Sequence, residues 1–228
     1  MTSGTEGWAD GPLVVELRIA DEPAAWAGAG FAVDGEVAQV ASVAIRLVGR
    51  DRADGGRGIV GWTLAGVHVA GDLDGLPTDL ADAPTPGVPS TGTAHPNGVT
   101  SIDHVVVLTP DLERTIEACA AAGLELKRIR ETTSYGSPMR QAFFRLGPTI
   151  LEVVSGDTGS GVAAAESPAT WFGLAVNARD LDQTRALLGD ALGEPKAAVQ
   201  AGRRIATFRH RALDLSVPLA AMDDHADR

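Results

Sequence analysis

Few side chains in this sequence combine a reactive group with a neighbour that would activate it. The one cysteine, Cys119, sits among small apolar residues with no base beside it. A thiol so placed reads as a core residue, not a nucleophile. His68 and His95 are isolated and read as non-ligands. The one tyrosine, Tyr135, lies in the polar run TTSYGSPMRQ between two extended stretches. It is a candidate ligand contact, against the plainer reading of a surface-loop aromatic. Arg140 and Gln141 open the next stretch, and side chains alternate along a strand, so one of the two faces inward. An inward arginine would hold a substrate carboxylate or phosphate. Arg203, Arg204 and His210 lie where charged and apolar residues alternate, and they read as exposed. No G-x-S-x-G elbow, phosphate loop, dinucleotide glycine fingerprint or Cys-x-x-Cys pair is present, which removes the minimal residues of serine hydrolases, nucleotide-binding folds and zinc ribbons.

The elements that must position these residues show an internal repeat. SIDHVVVLTPDLERTIEACAAAGLELKR resembles WFGLAVNARDLDQTRALLGDALGEPKAA, with Asp111/Asp180, Leu112/Leu181 and Thr115/Thr184 in step. Each apolar run, 102–108 and 171–176, reads as a strand. Each Asp is a credible helix N-cap. Leu112, Ile116, Cys119 and Ala120 fall on one helical face, and Gly123 ends that helix in a left-handed cap. Three extended stretches follow in each copy: 124–131, 140–146 and 149–154, then 194–199, 204–209 and 213–217. Each copy is therefore strand–helix–strand–strand–strand.

A weaker copy spans 8–70, with a strand in PLVVELRI, an Asp21 cap, Pro23 in the first helical turn, short extended runs at 31–33 and 36–40, and SVAIRLVG mirroring TILEVVSG. That match sets Arg46 against Glu152. An extra strand follows at 58–67. Residues 72–98 are rich in Pro, Gly, Thr and Asp and read as a linker or surface loop. Residues 99–220 hold the two clear modules, at about 100–156 and 170–218, and 1–7 and 221–228 read as tails.

IDHVVVLTPDLERT followed by QAFFRLGPTILEVV resembles the vicinal oxygen chelate superfamily, which includes glyoxalase I, methylmalonyl-CoA epimerase, extradiol dioxygenases and the bleomycin-resistance proteins. The resemblance implies an α+β, glyoxalase-like fold in which repeated βαβββ modules form curved mixed sheets around a cleft. It further implies a divalent ion (Mn, Fe, Ni, Zn or Mg) held by one residue from the first strand and one from the last strand of each module. Carried over, His104 and Glu152 are the first module's pair, with Glu152 also the candidate catalytic group. The second module departs from this, because Gly173 stands opposite His104 and Leu215 opposite Glu152, and neither side chain ligates a metal. Glu16 or His68 would have to complete such a set. The absence of any metal is an equal alternative, with His104 and Glu152 serving metal-free binding, acid–base work, or simply each other as a buried polar pair.

Composition bounds the rest. The formal charge of −11 and the lack of a basic cluster exclude a phosphate-tracking surface, so no nucleic acid is expected. No apolar run is long enough to span a membrane, no secretory leader opens the sequence, and one cysteine fits a reducing cytoplasm. The expected partner is a small organic molecule, with a homodimer left open. The leading reading is a glyoxalase-like protein binding that molecule in a cleft with His104 and Glu152, either as a lyase, isomerase or dioxygenase or without turnover. The alternative is a non-enzymatic drug-binding or sequestering protein of the bleomycin-resistance type. A third reading makes the repeats a dimerisation scaffold.

Overall fold

Repeated blocks of β-branched and apolar residues, punctuated by Gly and Asp, dictate strands tied by short helices. A computed structural model describes residues 11–51, 56–69, 71–82, 94–133, 138–156 and 166–224. In chain order the elements are β1 (Leu13–Ile19), α1 (Pro23–Gly28), β2 (Val37–Val40), β3 (Val43–Leu47), β4 (Ile59–Ala65), β5 (Gly71–Leu73) and β6 (Leu76–Ala81). Then come β7 (Val99–Leu108), α2 (Leu112–Ala121), β8 (Leu126–Thr132), β9 (Met139–Leu146), β10 (Thr149–Gly156), β11 (Thr170–Ala178), α3 (Leu181–Leu188), β12 (Lys196–Ala197), β13 (Arg204–Thr207) and β14 (Leu219–Asp223). The architecture is α+β with two curved mixed sheets. Among the described residues no helix is long and apolar enough to cross a membrane.

The contacts divide the chain into two compact units. The first gathers Met1–Val15, Gly61–Val88 and Val106–Trp171, and the second Glu16–Val60, Pro89–Val105 and Phe172–Arg228.

In the first unit, β6 lies between β4 and β5, and β10 and β9 follow one another outward to the edge strand β8. β4 runs parallel to β6, while β5–β6, β8–β9 and β9–β10 are antiparallel. Helix α2 packs on β9 and β10. It buries Leu112, Thr115 and Cys119, so its inner face is rotated from the expected one towards Thr115, and Ala120 is exposed. Opposite it, Leu151, Val153, Ala142, Phe144 and Leu146 are buried. Asp111 caps α2 by accepting from Arg114 N at 3.0 Å. Gly123, at φ +88°, closes it, with Leu124 N donating to Cys119 O.

In the second unit β3 lies between β2 and β1, and the order β12-β13-β14-β11 leads to β7. β1 is parallel to β3 and β11 to β14. Asp180 caps α3 by accepting from Asp182 N and Gln183 N. The threonines repeated in step play the same part in α2 and α3. Thr115 and Thr184 are both buried, and each donates to the carbonyl four residues back, Asp111 O and Asp180 O.

Several expectations change. The segment 72–98 is not loop throughout, since β5 and β6 form a hairpin at its start. The stretch 31–33 is not a strand, which leaves the first module as βαββ. Glu22, not Asp21, is the N-cap of α1, and it makes no side-chain cap bond. Asp21 is instead fully buried, accepting from Trp26 Nε1 and Ser216 N. The last strand of the final module is not 213–217 but β14, part of which had read as tail. Asp214 adopts φ +57° and breaks the extended run, while Leu215 and Val217 are buried from a turn. Their alternation was real, but it reflects packing and not pairing.

β14 also explains Gly173. Leu174 N donates to Pro218 O at 3.0 Å, and a Cβ on Gly173 would lie 2.4 Å from that same oxygen. No side chain fits there, so no ligand can. We expect Gly173→Ala to lower unfolding free energy in urea by about 1–3 kcal/mol. Gly28→Ala, which meets nothing within 4 Å, should change it by no more than about 0.5 kcal/mol.

Candidate functional site

Alternation along β8, β9 and β10 sorts the first unit's polar residues onto two faces. Glu152 pairs with Phe143, Val154 with Gln141, Arg128 with Phe143 and Arg130 with Gln141. Cross-strand partners point the same way. One face therefore carries Glu152, Gln141, Phe143, Arg128, Arg130 and Arg145, and the face against α2 carries the apolar core. Gln141 is the inward residue of the Arg140/Gln141 pair. It is only 5% exposed, and its Nε2 donates to Glu152 Oε1 at 2.6 Å. Its own Oε1 is buried with no hydrogen-bond partner. A buried acceptor left unmade is costly, so it marks a place where a donor is wanted.

Arg140 points to the other face. It pairs with Glu113 of α2 at 2.5 Å, and those carboxylate bonds raise its pKa further. It also borders a hollow of about 620 Å³ lined by Glu131, Thr132, Thr133, Pro138, Met139, Arg140 and Ser155. Tyr135 lies outside the described residues.

His104 lies on the part of β7 that belongs to the second unit. Its Nδ1 lies 2.8 Å from Asp103 Oδ2. Asp103 is 5% exposed, and its Oδ1 accepts from Arg203 Nη1 at 2.8 Å. Arg203, 7% exposed, also donates to Gln200 Oε1, Asn177 Oδ1 and Asp223 O. Asn177 passes the chain on to Ser101 Oγ at 2.8 Å. Burial pushes the Asp103 carboxyl up, but the bonds and charges of His104 and Arg203 outweigh it and hold the pKa below the usual carboxylate range. A carboxylate on Nδ1 fixes the orientation of the ring.

Asp103 and Arg203 were missed by sequence reasoning. Adjacent strand residues normally face apart, which hides an Asp-His contact. Arg203, read as exposed, is buried. Its neighbour Arg204 is half-exposed and pairs with Asp223 and Asp182.

The other candidates are settled in structural roles. His95 Nδ1 accepts from Ala32 N, and Nε2 faces Gln39 O at 3.1 Å. Burial lowers its pKa, so it serves as a neutral tie between segments. Glu16 is paired with Arg46 at 2.7 Å. His68 is exposed. Burial pushes the Cys119 thiol up to about 12, which keeps it inert.

The donor set does not fit a protein-held metal triad. Among the described residues no group of three or more His, Cys, Asp or Glu side chains converges, and position 173 is closed by the Pro218 carbonyl.

The buried pair makes an acid-side prediction. A lowered folded pKa means that Asp103 stabilises the fold above about pH 4, the ordinary carboxylate value, and that this contribution fades as pH falls through the folded pKa. The stability gap between wild type and Asp103→Asn should thus shrink on acidification from pH 6, followed by urea unfolding. Arg203→Met strands the carboxylate, and at pH 7 should cost about 3–5 kcal/mol.

No family model matches the sequence, and no curated protein matches it. Solved structures do. A triple mutant of 4-hydroxymandelate synthase from Streptomyces coelicolor is 13% identical, with a TM-score of 0.66, covering 95% of this chain and 93% of that one. A xylose isomerase-like TIM barrel/4-hydroxyphenylpyruvate dioxygenase fusion protein is 12% identical, with a TM-score of 0.62, covering 96% of this chain and 49% of that one. Methylmalonyl-CoA epimerase from Mycobacterium tuberculosis is 20% identical, with a TM-score of 0.45, covering 57% of this chain and 91% of that one. At such identities the likeness concerns the backbone plan alone, and the first two matches span nearly the whole chain: it has the fold of the vicinal oxygen chelate superfamily.

Proposed function

We propose that the protein binds a small organic molecule on the β8–β9–β10 face, with Glu152 and Gln141 as its polar anchors. The observation that carries this is the unpartnered Oε1 of Gln141, buried beside a carboxylate that the same side chain holds in place. A ligand hydroxyl or N–H donating to that oxygen completes the set. Glu152, oriented by Gln141, accepts a second donor or a proton. Hydrogen-bonded sites of this kind reject analogues that lack the donor, because the protein atoms are then left unpaired. The reading needs no metal. The drug-sequestering alternative shares this binding step.

A second reading, catalysis by proton transfer, is favoured by the Asp103–His104 contact. A carboxylate on Nδ1 orients the ring, which is the support that a general base needs. On this reading His104 abstracts a proton next to a carbonyl, and Asp103 orients the ring.

Metal content and binding separate the readings. Protein treated with EDTA should keep the unfolding midpoint of untreated protein and retain its response to benzyl alcohol in a thermal-shift titration. Gln141→Leu should abolish that response. Stoichiometric Mn, Fe, Ni, Zn or Mg in purified protein, lost in His104→Ala, would overturn the metal-free reading. For the catalytic reading, deuterium uptake into pyruvate's methyl group, followed by NMR, should be faster than in buffer and fall to the buffer rate in His104→Ala.

A further inference from the structure

The chain is strongly acidic, with 30 Asp and Glu against 19 Lys and Arg, yet one face of its first unit is cationic. Register fixes the layout. Arg130, Gln141 and Val154 form one row across β8, β9 and β10, and Arg128, Phe143 and Glu152 form the next. Arg145 and Ile150 form a third. Neighbours within a row stand about 5 Å apart and successive rows about 7 Å apart, so three arginine positions gather around Phe143 on one sheet. The Arg128 guanidinium lies 4.8 Å from the centroid of that ring. Stacking fixes its plane and leaves its N–H groups for a partner. Arg145 reaches the nearby Gly147 carbonyl, at 3.5 Å. Among the described residues none of the three is ion-paired with a carboxylate. Elsewhere on the same unit arginines are neutralised, as Arg114 is by Asp74 and Arg140 by Glu113.

We infer that this face selects an anionic ligand: a small aromatic or planar molecule bearing a carboxylate or phosphate. Its anionic group sits on Arg128 and Arg130, with Arg145 adding charge from the far side of Phe143. Its planar body lies along Phe143 towards Gln141 and Glu152, where a hydroxyl or N–H meets the unpartnered Gln141 oxygen. Arg–carboxylate and Arg–phosphate contacts are charge-assisted and bidentate, which fixes orientation as well as affinity. Glu152 is the carboxylate of these three rows, and it repels the anionic end towards the arginine side. This inference rests on the proposed small-molecule site and names its ligand class.

The test uses the full chain and three probes, benzoate, phenyl phosphate and benzyl alcohol, titrated by calorimetry at low and high NaCl. Benzoate or phenyl phosphate should bind more tightly than benzyl alcohol, and weaken as salt rises. Whichever of the two binds more tightly identifies the anionic group. The Arg128→Gln/Arg130→Gln double variant should weaken the anionic probes about tenfold or more, while benzyl alcohol binding stays as in wild type. Arg209→Gln, an exposed arginine of the other unit, should leave all three unchanged. Circular dichroism confirms that each variant folds. Affinity for benzyl alcohol equal to or above that for both anionic probes, unchanged anion binding in the double variant, or no anion binding in wild type would each overturn the inference. Benzyl alcohol binding that is lost in Gln141→Leu, with no preference for the anionic probes, would leave the small-molecule site standing and sink only its selection of anions.

Discussion

A carboxylate removed from water must be compensated, and in the second unit that requirement organises everything around Asp103. Arg203 alone does not suffice, because a buried guanidinium brings five N–H donors that also need acceptors. The structure supplies them from Asp103, Gln200, Asn177 and the Asp223 carbonyl. Asn177 sits on β11, Asp223 on β14 and Asp103 on β7, so the network ties three strands through one side chain. Orientation of His104 is a consequence. Its Nδ1 meets a carboxylate that Arg203 already holds in position. Loss of one member leaves others buried and unmade, which is why such networks fail as a group.

The first unit treats its own carboxylate differently. Glu152 accepts from an amide whose own oxygen goes unanswered. The three arginines on that face neutralise no carboxylate among the described residues. One set of bonds thus ties strands together, while the other leaves the Gln141 oxygen without a partner. The proposed ligand supplies the missing donor there, gaining a hydrogen bond that the protein has not already made.

How much of this was legible in the sequence follows from what kind of signal each feature leaves. Helix caps at Asp111 and Asp180, the Gly123 terminator and the module order all leave local signals, and local signals survive. The inward choice between Arg140 and Gln141 was narrowed by period two, and only register decided it. Asp103 left no signal, because strand alternation argues that neighbours diverge. Arg203 left a misleading one: charged and apolar residues alternate at 203–209, but burial there is set by partners far away in sequence. The final strand was misplaced for a related reason. LDLSV has the composition of a strand, yet Asp214 takes a left-handed conformation and the true partner of β11 is the blander LAAMD.

Strands elsewhere fill comparable positions by other physical means. On β1 and β3, Glu16 and Arg46 neutralise each other. On β4, Trp62 donates to Thr78 and stacks edge-on against Trp171, filling the space with rings. At β11, the Pro218 carbonyl comes so close to Gly173 that no side chain is tolerated. β8 to β10 instead keep a carboxylate beside an unanswered acceptor, and arginines that neutralise no carboxylate among the described residues. That contrast is what supports placing the proposed site on β8 to β10.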